Sequence, residues 1–396
     1  MNDQPLTPQS RTHAFSRLAE LAALFLKLGT IGFGGPAAHI ALMESEVVQK
    51  RNWVTKQQFL DMLGAANLIP GPTSTEMAIN VGFARAGWSG LCVAGVSFIV
   101  PAALITGAFA WAYVRFGALP RAVSVLTAIQ AAIIAIIALA IWRLGKSAVK
   151  DARLAALGGL ALAAFLSGLN PLIILFGGGV VGMIINVRLS PPRSSVLFSL
   201  PPPLWRITRM DWLGLLAIPI PSARPSLLRI GLFFLKIGAV LYGGGYVLLA
   251  FLEQGLVHQQ AWLTRQQLVD AIAIGQFTPG PVFSTATFIG YLLGGCPGAV
   301  VATIAIFLPS FLYVGLLAPL LFRLRKSPWM SGFMDSVNVC AVALMAGVTL
   351  KLAAAILHGW QTVLIAAIAL AVLLRWKISP VWVVLGAGCT GLGLIR

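Results

Sequence analysis

Two kinds of break interrupt the apolar stretches of this 396-residue chain, and both put backbone chemistry where leucine would be ordinary. The first is Gly34-Gly35-Pro36, within the run IGFGGPAAHIALMESE, matched later by Gly243-Gly244-Gly245. The second is Pro70-Gly71-Pro72, matched by Pro279-Gly280-Pro281. Proline inside a helix removes a backbone hydrogen bond and clashes with the preceding turn, while glycine permits conformations that other residues avoid. In lipid, unpaired backbone survives only where protein buries it or water and ligand reach it. Proline is tolerated at the first helical position, so Pro36 and Pro72 are expected to start half-helices whose free N–H groups point into the break. Such N-termini attract anions. Each is equivalent to roughly half a positive charge, so four converging from two halves of the chain would present about +2, the complement of a dianion.

The side chains beside the breaks suit the same ligand. Thr73, Ser74 and Thr75 follow the second break, and Ser284 and Thr285 follow its partner, which puts hydroxyls in the first helical turn; Asn67 and Gln276 precede the breaks by one turn. Lys27 and Lys236 stand seven residues before the glycines, about 10 Å along a helix. Capping and the packing of small-residue faces would explain the hydroxyls as well. Snorkelling to the interface would explain the lysines.

Carboxylates at membrane depth are expensive and point to a cavity or a cation. Trp53-Val54-Thr55-Lys56-Gln57-Gln58 and its copy Trp262-Leu263-Thr264-Arg265-Gln266-Gln267 read as an interfacial tryptophan followed by a capping box, so a helix starts at each threonine. Asp61 and Asp270 then fall six residues in, roughly 9 Å below the start. They are either carriers of a proton or coupling ion, or structural partners that neutralise a buried lysine such as Lys27 or Lys236. Glu44 and Glu253 lie eight residues beyond the first break, toward the interface. His39, Glu46 and Glu76 have no charged counterpart, facing Leu248, Gly255 and Thr285, and mark an asymmetry between the halves.

These motifs belong to an internal repeat. Residues 25–72 align without gaps on 234–281 at an offset of 209, with 17 identities over 48 positions. After a one-residue gap the match resumes, pairing Gly90 with Gly298 and Pro101 with Pro309. Self-similarity on this scale defines the architecture. A polar N-terminal tail (1–15) precedes a first membrane repeat (16–187); a linker rich in Pro and Arg (188–226) leads to a second repeat (227–396).

A chain that is 58% hydrophobic and 10% charged, with a mean hydropathy of +0.90, is an integral membrane protein. Its apolar runs number ten to twelve, many near the roughly 20 residues that cross a bilayer. The first run is long and followed by many others, so it is not read as a cleaved signal. The formal charge of +17 comes from Lys and Arg set singly between apolar runs, which fits lipid headgroups and positive-inside signals rather than nucleic acid. Four scattered cysteines, Cys92, Cys296, Cys340 and Cys389, make neither a zinc site nor a disulfide framework. No metal or other cofactor is expected. Gly145-Lys146-Ser147 lacks the first glycine of a phosphate loop, Ala140 standing in its place, and ATP hydrolysis has no support.

Loop charges bear on orientation. Simple alternation from a cytoplasmic N-terminus would put Arg323, Arg325, Lys326, Arg375 and Lys377 outside, against the positive-inside tendency. Inversion of the second repeat removes the conflict if the first half has one segment fewer across the membrane, with 152–169 and 171–187 a non-spanning pair. The expected fold is therefore an all-α polytopic membrane protein of two homologous, inverted repeats with broken helices, a recurring plan of secondary transporters.

GFGGP, then the E-x8-W-x-T-x-Q-Q-F-x-D run, then I-P-G-P, in that order and repeated in a second half, resemble the chromate ion transporter family in its long two-domain form. The likeness covers nearly the whole chain. The family-typical positions are Gly34, Gly35, Pro36, Glu44, Trp53, Asp61, Pro70, Gly71 and Pro72. The resemblance implies a multi-pass carrier of the bacterial inner membrane that expels chromate and confers resistance, with sulfate a competing tetrahedral dianion. It implies transport, not enzymology. A homodimer stays open, as do a sulfate or other oxyanion carrier working as importer or exchanger, and an anion channel. Energetics agree with export: an inside-negative potential of 100 mV drives each negative charge outward by about 2.3 kcal/mol, so a dianion gains about 4.6 kcal/mol on leaving.

Overall fold

A computed structural model describes residues 8–33, 35–66, 69–117, 119–189, 225–241, 248–324, 328–376, 378 and 380–394. Gly34, Asn67, Gly243, Gly244, Gly245 and most of the Pro/Arg-rich linker lie outside the described residues.

The described elements of the two repeats match one for one. In the first they are α1 (Pro8–Ile31), α2 (Gly35–Glu44) with a π-helical turn (Ser45–Lys50), α3 (Lys56–Ala66), α4 (Thr73–Phe116), α5 (Pro120–Ala148), α6 (Ala152–Leu166) and α7 (Pro171–Leu189). In the second they are α8 (Leu227–Val240), α9 (Leu248–Leu252) with a π-helical turn (Glu253–Gln259), α10 (Arg265–Phe277), α11 (Thr285–Leu324), α12 (Pro328–Ile356), α13 (Trp360–Trp376) and α14 (Pro380–Leu394). Helix α1 begins inside the stretch read as a polar tail. The α6–α7 pair, expected to be the non-spanning difference between the halves, has a counterpart in α13–α14, so this pair does not distinguish them.

Four described helices are long and apolar enough to cross a membrane, over Thr73–Phe116, Val123–Ala148, Val282–Leu316 and Gly332–Ile356, and shorter apolar helices accompany them. The chain is a helical, multi-pass membrane protein.

Helix α4 is two helices. Ala86 and Gly87 leave helical geometry, Gly87 at φ 60°, and a side-chain carbon on Gly82 would collide with Gly90 and Ala94. On a straight helix Gly82 and Ala94 would stand about 18 Å apart. The chain therefore folds back into a tight hairpin. Helix α11 repeats the device at Gly294 and Gly295 (φ 63°), with Gly290 against Gly298 and Ala302.

Glycine also sets how the helices approach. A side chain on Gly29 of α1 would strike the Phe98 carbonyl of α4, and one on Gly238 of α8 would strike the Ile306 carbonyl of α11. Small residues of this kind let helix backbones pack closely in lipid, where the hydrophobic effect no longer drives helix association. Phe25 and its counterpart Phe234 are both fully buried at these contacts. The halves are also interlaced: α5 packs on α13 and α14 of the other repeat, while α12 packs on α6 and α7, and α4 packs along α11.

Candidate functional site

Both capping boxes form as the sequence predicts. Gln58 N–H donates to Thr55 Oγ1 at 3.2 Å, and Thr55 N–H donates to Gln58 Oε1 at 2.9 Å. The same pair joins Thr264 and Gln267 at 3.2 and 3.0 Å. These local rules start α3 and α10 where the aspartates need them.

The first break is a reversal of the chain. Lys27 Nζ lies 3.2 Å from Glu46 Oε1, whereas on a straight helix residues 19 apart would be about 28 Å distant. Helix α2 therefore turns back along α1, with Gly35 at φ 77°. Pro36 is the second residue of α2 rather than its first, and Pro72 caps α4 from outside, so α4 starts at Thr73. After Pro281 a short 3₁₀ turn (Val282–Ser284) precedes α11, a delay that α4 does not have.

What joins the breaks is a reciprocal pair of backbone hydrogen bonds. Gly71 N–H donates to the Leu241 carbonyl at 2.7 Å, and Gly280 N–H donates to the Gly32 carbonyl at 2.8 Å. Gly280 is the repeat counterpart of Gly71, and Leu241 of Gly32. Each second break is thereby fastened to the first break of the other half, in the mutual pattern of a two-fold contact. Each junction therefore joins the segment just before α4 or α11 to the carbonyl that ends the first helix of the other half. Gly71 (φ 143°) and Gly280 (φ 90°) occupy backbone conformations that side-chain-bearing residues rarely adopt.

Chemistry at the two junctions differs. At the Gly280 junction, a side chain would meet Ala102 and the Gly29 carbonyl. Nearby, Thr106 Oγ1 of α4 donates to Ser284 Oγ at 3.2 Å across the repeats, Thr285 Oγ1 donates to the Val282 carbonyl at 2.8 Å, and His39 Nε2 reaches the Gly32 carbonyl at 2.8 Å. Gln276 and Thr285 line a small cavity with Leu248, Leu249, Leu252, Ile272 and Val282. At the Gly71 junction the neighbours are Glu76 and Ser310. Ser74 and Thr75 are buried there too, and Thr73 and Pro70 partly so; Pro279 and Pro281 are buried in the other half.

The expected ion pairs are redrawn. Lys27 engages Glu46, not Asp61, and it shares that carboxylate with Lys50 (3.1 Å) and Arg51. Lys236 is exposed on α8, and Gly255 stands where Glu46 would be. Neither lysine is aimed into a break. Asp61 is half-buried and accepts from Gln57 Nε2 at 3.1 Å. Asp270 is buried and held by Tyr113 Oη at 2.7 Å and by Gln130 Nε2, both from the first repeat. Glu253 is buried beside Arg265 Nη2 (3.5 Å) and His258 Nε2 (3.7 Å), while Glu44 ends α2 half-buried. Tyr113 and Gln130 carried no signal that sequence reasoning could use, since an apolar run rarely reveals where its polar residue points.

A repeat of broken helices, fastened break to break inside a polytopic membrane protein, is a plan that many secondary transporters share. The Chromate transporter family matches the chain twice, over residues 19–183 and 228–392, and the protein belongs to that family. It is 36% identical over 385 residues to a chromate transport protein of Cupriavidus metallidurans, covering 95% of this chain and 92% of the relative. It is 34% identical to a probable chromate transport protein of Synechococcus elongatus (93% and 92% covered) and 28% identical to a chromate transport protein of Pseudomonas aeruginosa (98% and 97% covered). No solved structure matches.

Proposed function

We propose that this protein is a secondary transporter that exports chromate across the bacterial inner membrane, binding the oxyanion at the junctions between its repeats. The observation that carries the reading is the reciprocal pairing of Gly71 with Leu241 and Gly280 with Gly32. Positive-φ glycines at these junctions, followed by buried hydroxyls at the starts of α4 and α11, support a backbone anion site there. The relatives named for chromate transport support the substrate. Sulfate, as a tetrahedral dianion, competes at the same place. In this reading the chain crosses the membrane ten to twelve times, the two repeats are inverted, and Asp61, Asp270, Glu44 and Glu253 serve coupling or the frame that holds the breaks.

Uptake of radiolabelled chromate into everted membrane vesicles, with an interior-positive potential and sulfate as competitor, tests the proposal. Saturable accumulation that Gly35→Leu abolishes is the expected result. Transport of sulfate or another anion without chromate would keep the site and overturn the substrate. Non-saturating flux would favour a channel, and no anion flux at all would overturn the function.

A further inference from the structure

Glu76 is the most exceptional ionisable residue in the described chain. It lies in the first turn of α4, fully buried, and neither carboxyl oxygen has a hydrogen-bond partner. Its Oε1 lies so close to Gly71 that a side-chain carbon there would collide with it and with Ser310 Oγ of α11. Ser310 Oγ and Thr75 Oγ1 are buried and unpartnered as well. Thr285 and Ala102 replace Glu76 and Ser310 at the other junction. Three unmet polar side chains thus gather at one of two otherwise matching backbone junctions.

We propose that Glu76 is a proton-binding group of the transporter: it is ionised while the Gly71 junction is empty and takes up a proton when the oxyanion occupies that junction. This rests on the proposed function, which takes the junctions as the anion site. Glu76 reaches back over the start of its own helix, where the free N–H groups would meet the oxyanion. An ionised carboxylate there would compete with the oxyanion for the same positive helix end and repel it at short range. A protonated carboxyl removes the repulsion and gains an O–H that can donate to an oxyanion oxygen. By linkage, oxyanion binding then takes up one proton, so that loading changes the charge of the site by −1 rather than −2.

Among the described residues, the ionisable groups on elements packed against α4 are engaged elsewhere or lie apart. On α1, Glu20 pairs with Arg85 and Lys27 with Glu46, and Arg17 is exposed. On α3, Asp61 accepts from Gln57, and Lys56 is exposed; on α2, Glu44 is half-buried at the far end. Asp270 on α10 is held by Tyr113 and Gln130, Arg265 lies beside Glu253, and Tyr313 on α11 donates to the Ala239 carbonyl. Tyr291 on α11 is half-buried. His39 on α2 reaches the Gly32 carbonyl at the Gly280 junction through Nε2 and packs edge-on against Phe98. Its Nδ1 is buried and unpartnered, and the counterparts of His39 and Glu76, Leu248 and Thr285, line a single cavity in the second half.

The test uses the full chain in lipid nanodiscs, with chromate as the probe, over the alkaline range in which chromate is a dianion throughout. Binding and proton uptake are both read, the latter with an indicator in weak buffer. Wild-type affinity is expected to fall about tenfold per pH unit, with about one proton taken up per chromate bound. Glu76→Gln should still bind chromate, with a flat pH profile and no proton uptake. Binding by the wild type without proton uptake overturns the role of Glu76 whether or not the variant folds. A slope retained in Glu76→Gln but lost in His39→Gln also overturns it. Absence of chromate binding by the wild type would instead overturn the proposed function.

Discussion

The two repeats share a scaffold and differ in chemistry. Break-to-break hydrogen bonds, hairpin glycines and capping boxes recur at equivalent positions with nearly the same geometry. The ionisable residues do not. Lys27 has Glu46 where Lys236 has only Gly255, Asp270 is buried across the repeat interface where Asp61 accepts from its own helix, and Glu76 with Ser310 faces Thr285 with Ala102. Backbone geometry must be duplicated because each half completes the other's break. Charge need not be, because two identical buried carboxylates would double the desolvation cost without adding a second function.

The comparison breaks most severely at its shared elements. Gly71→Val and Gly280→Val each force a branched side chain into a positive-φ position against packed neighbours, and each should cut vesicle uptake of chromate by about a hundredfold or more through displacement of the junction. Gly87→Ala, also at positive φ but with open space beside it, should leave a folded and partly active protein. Equal tolerance of all three would remove the junctions from the mechanism.

A smaller effect separates the aspartates. Asp270→Ala strands the Tyr113 hydroxyl and the Gln130 amide in a buried site and should cost about 1–3 kcal/mol of stability. Asp61→Ala, at a half-buried position that leaves no fully buried partner stranded in Gln57, should cost less than Asp270→Ala. Thermal unfolding of the detergent-purified variants reads the difference, and matching losses would mean that Asp61 is as buried in the working protein as its twin.

The Glu46 cluster sharpens the contrast through pH. Arg51, donating to its carboxylate, holds Glu46 down to about 2 from an ordinary 4.5, with Lys50 and Lys27 adding to the effect. A lowered acid stabilises the fold fully above its unfolded value, and the contribution fades as pH falls from 4.5 toward 2. Glu46→Gln should flatten the acid limb of the stability profile over that window; an unchanged profile would show that the cluster contributes nothing. The smallest and most symmetrical effect is at the caps. Thr55→Ala and Thr264→Ala should each cost about 1 kcal/mol, and a clear inequality would show that the two helix starts are not equivalent.

Much of the candidate site was legible in local sequence. Proline and glycine act on their own turn, so the breaks could be placed at Gly35, Pro72 and Gly280 before any packing was known. A capping box spans four residues, which made the starts of α3 and α10 readable from Thr55 and Thr264. Ion pairing was not readable in this way. A lysine seven residues from a break fits an anion site as well as it fits a carboxylate from a returning helix, and only the reversal after Ile31 brought Glu46 to Lys27.

Sequence alone determined that the chain is a helical membrane protein, that it repeats with an offset of 209, and that each half is broken twice. These properties follow from composition and from interactions a few residues long. Tertiary structure decided that the breaks pair crosswise between halves, that Asp270 rests on Tyr113 and Gln130, and that Glu76 lies buried against Gly71 and Ser310. Those contacts join distant parts of the chain, most of them in different repeats, and nothing in a local pattern fixes them. They exist because close packing of glycine-lined helices leaves one arrangement in which both halves satisfy the open backbone of the other.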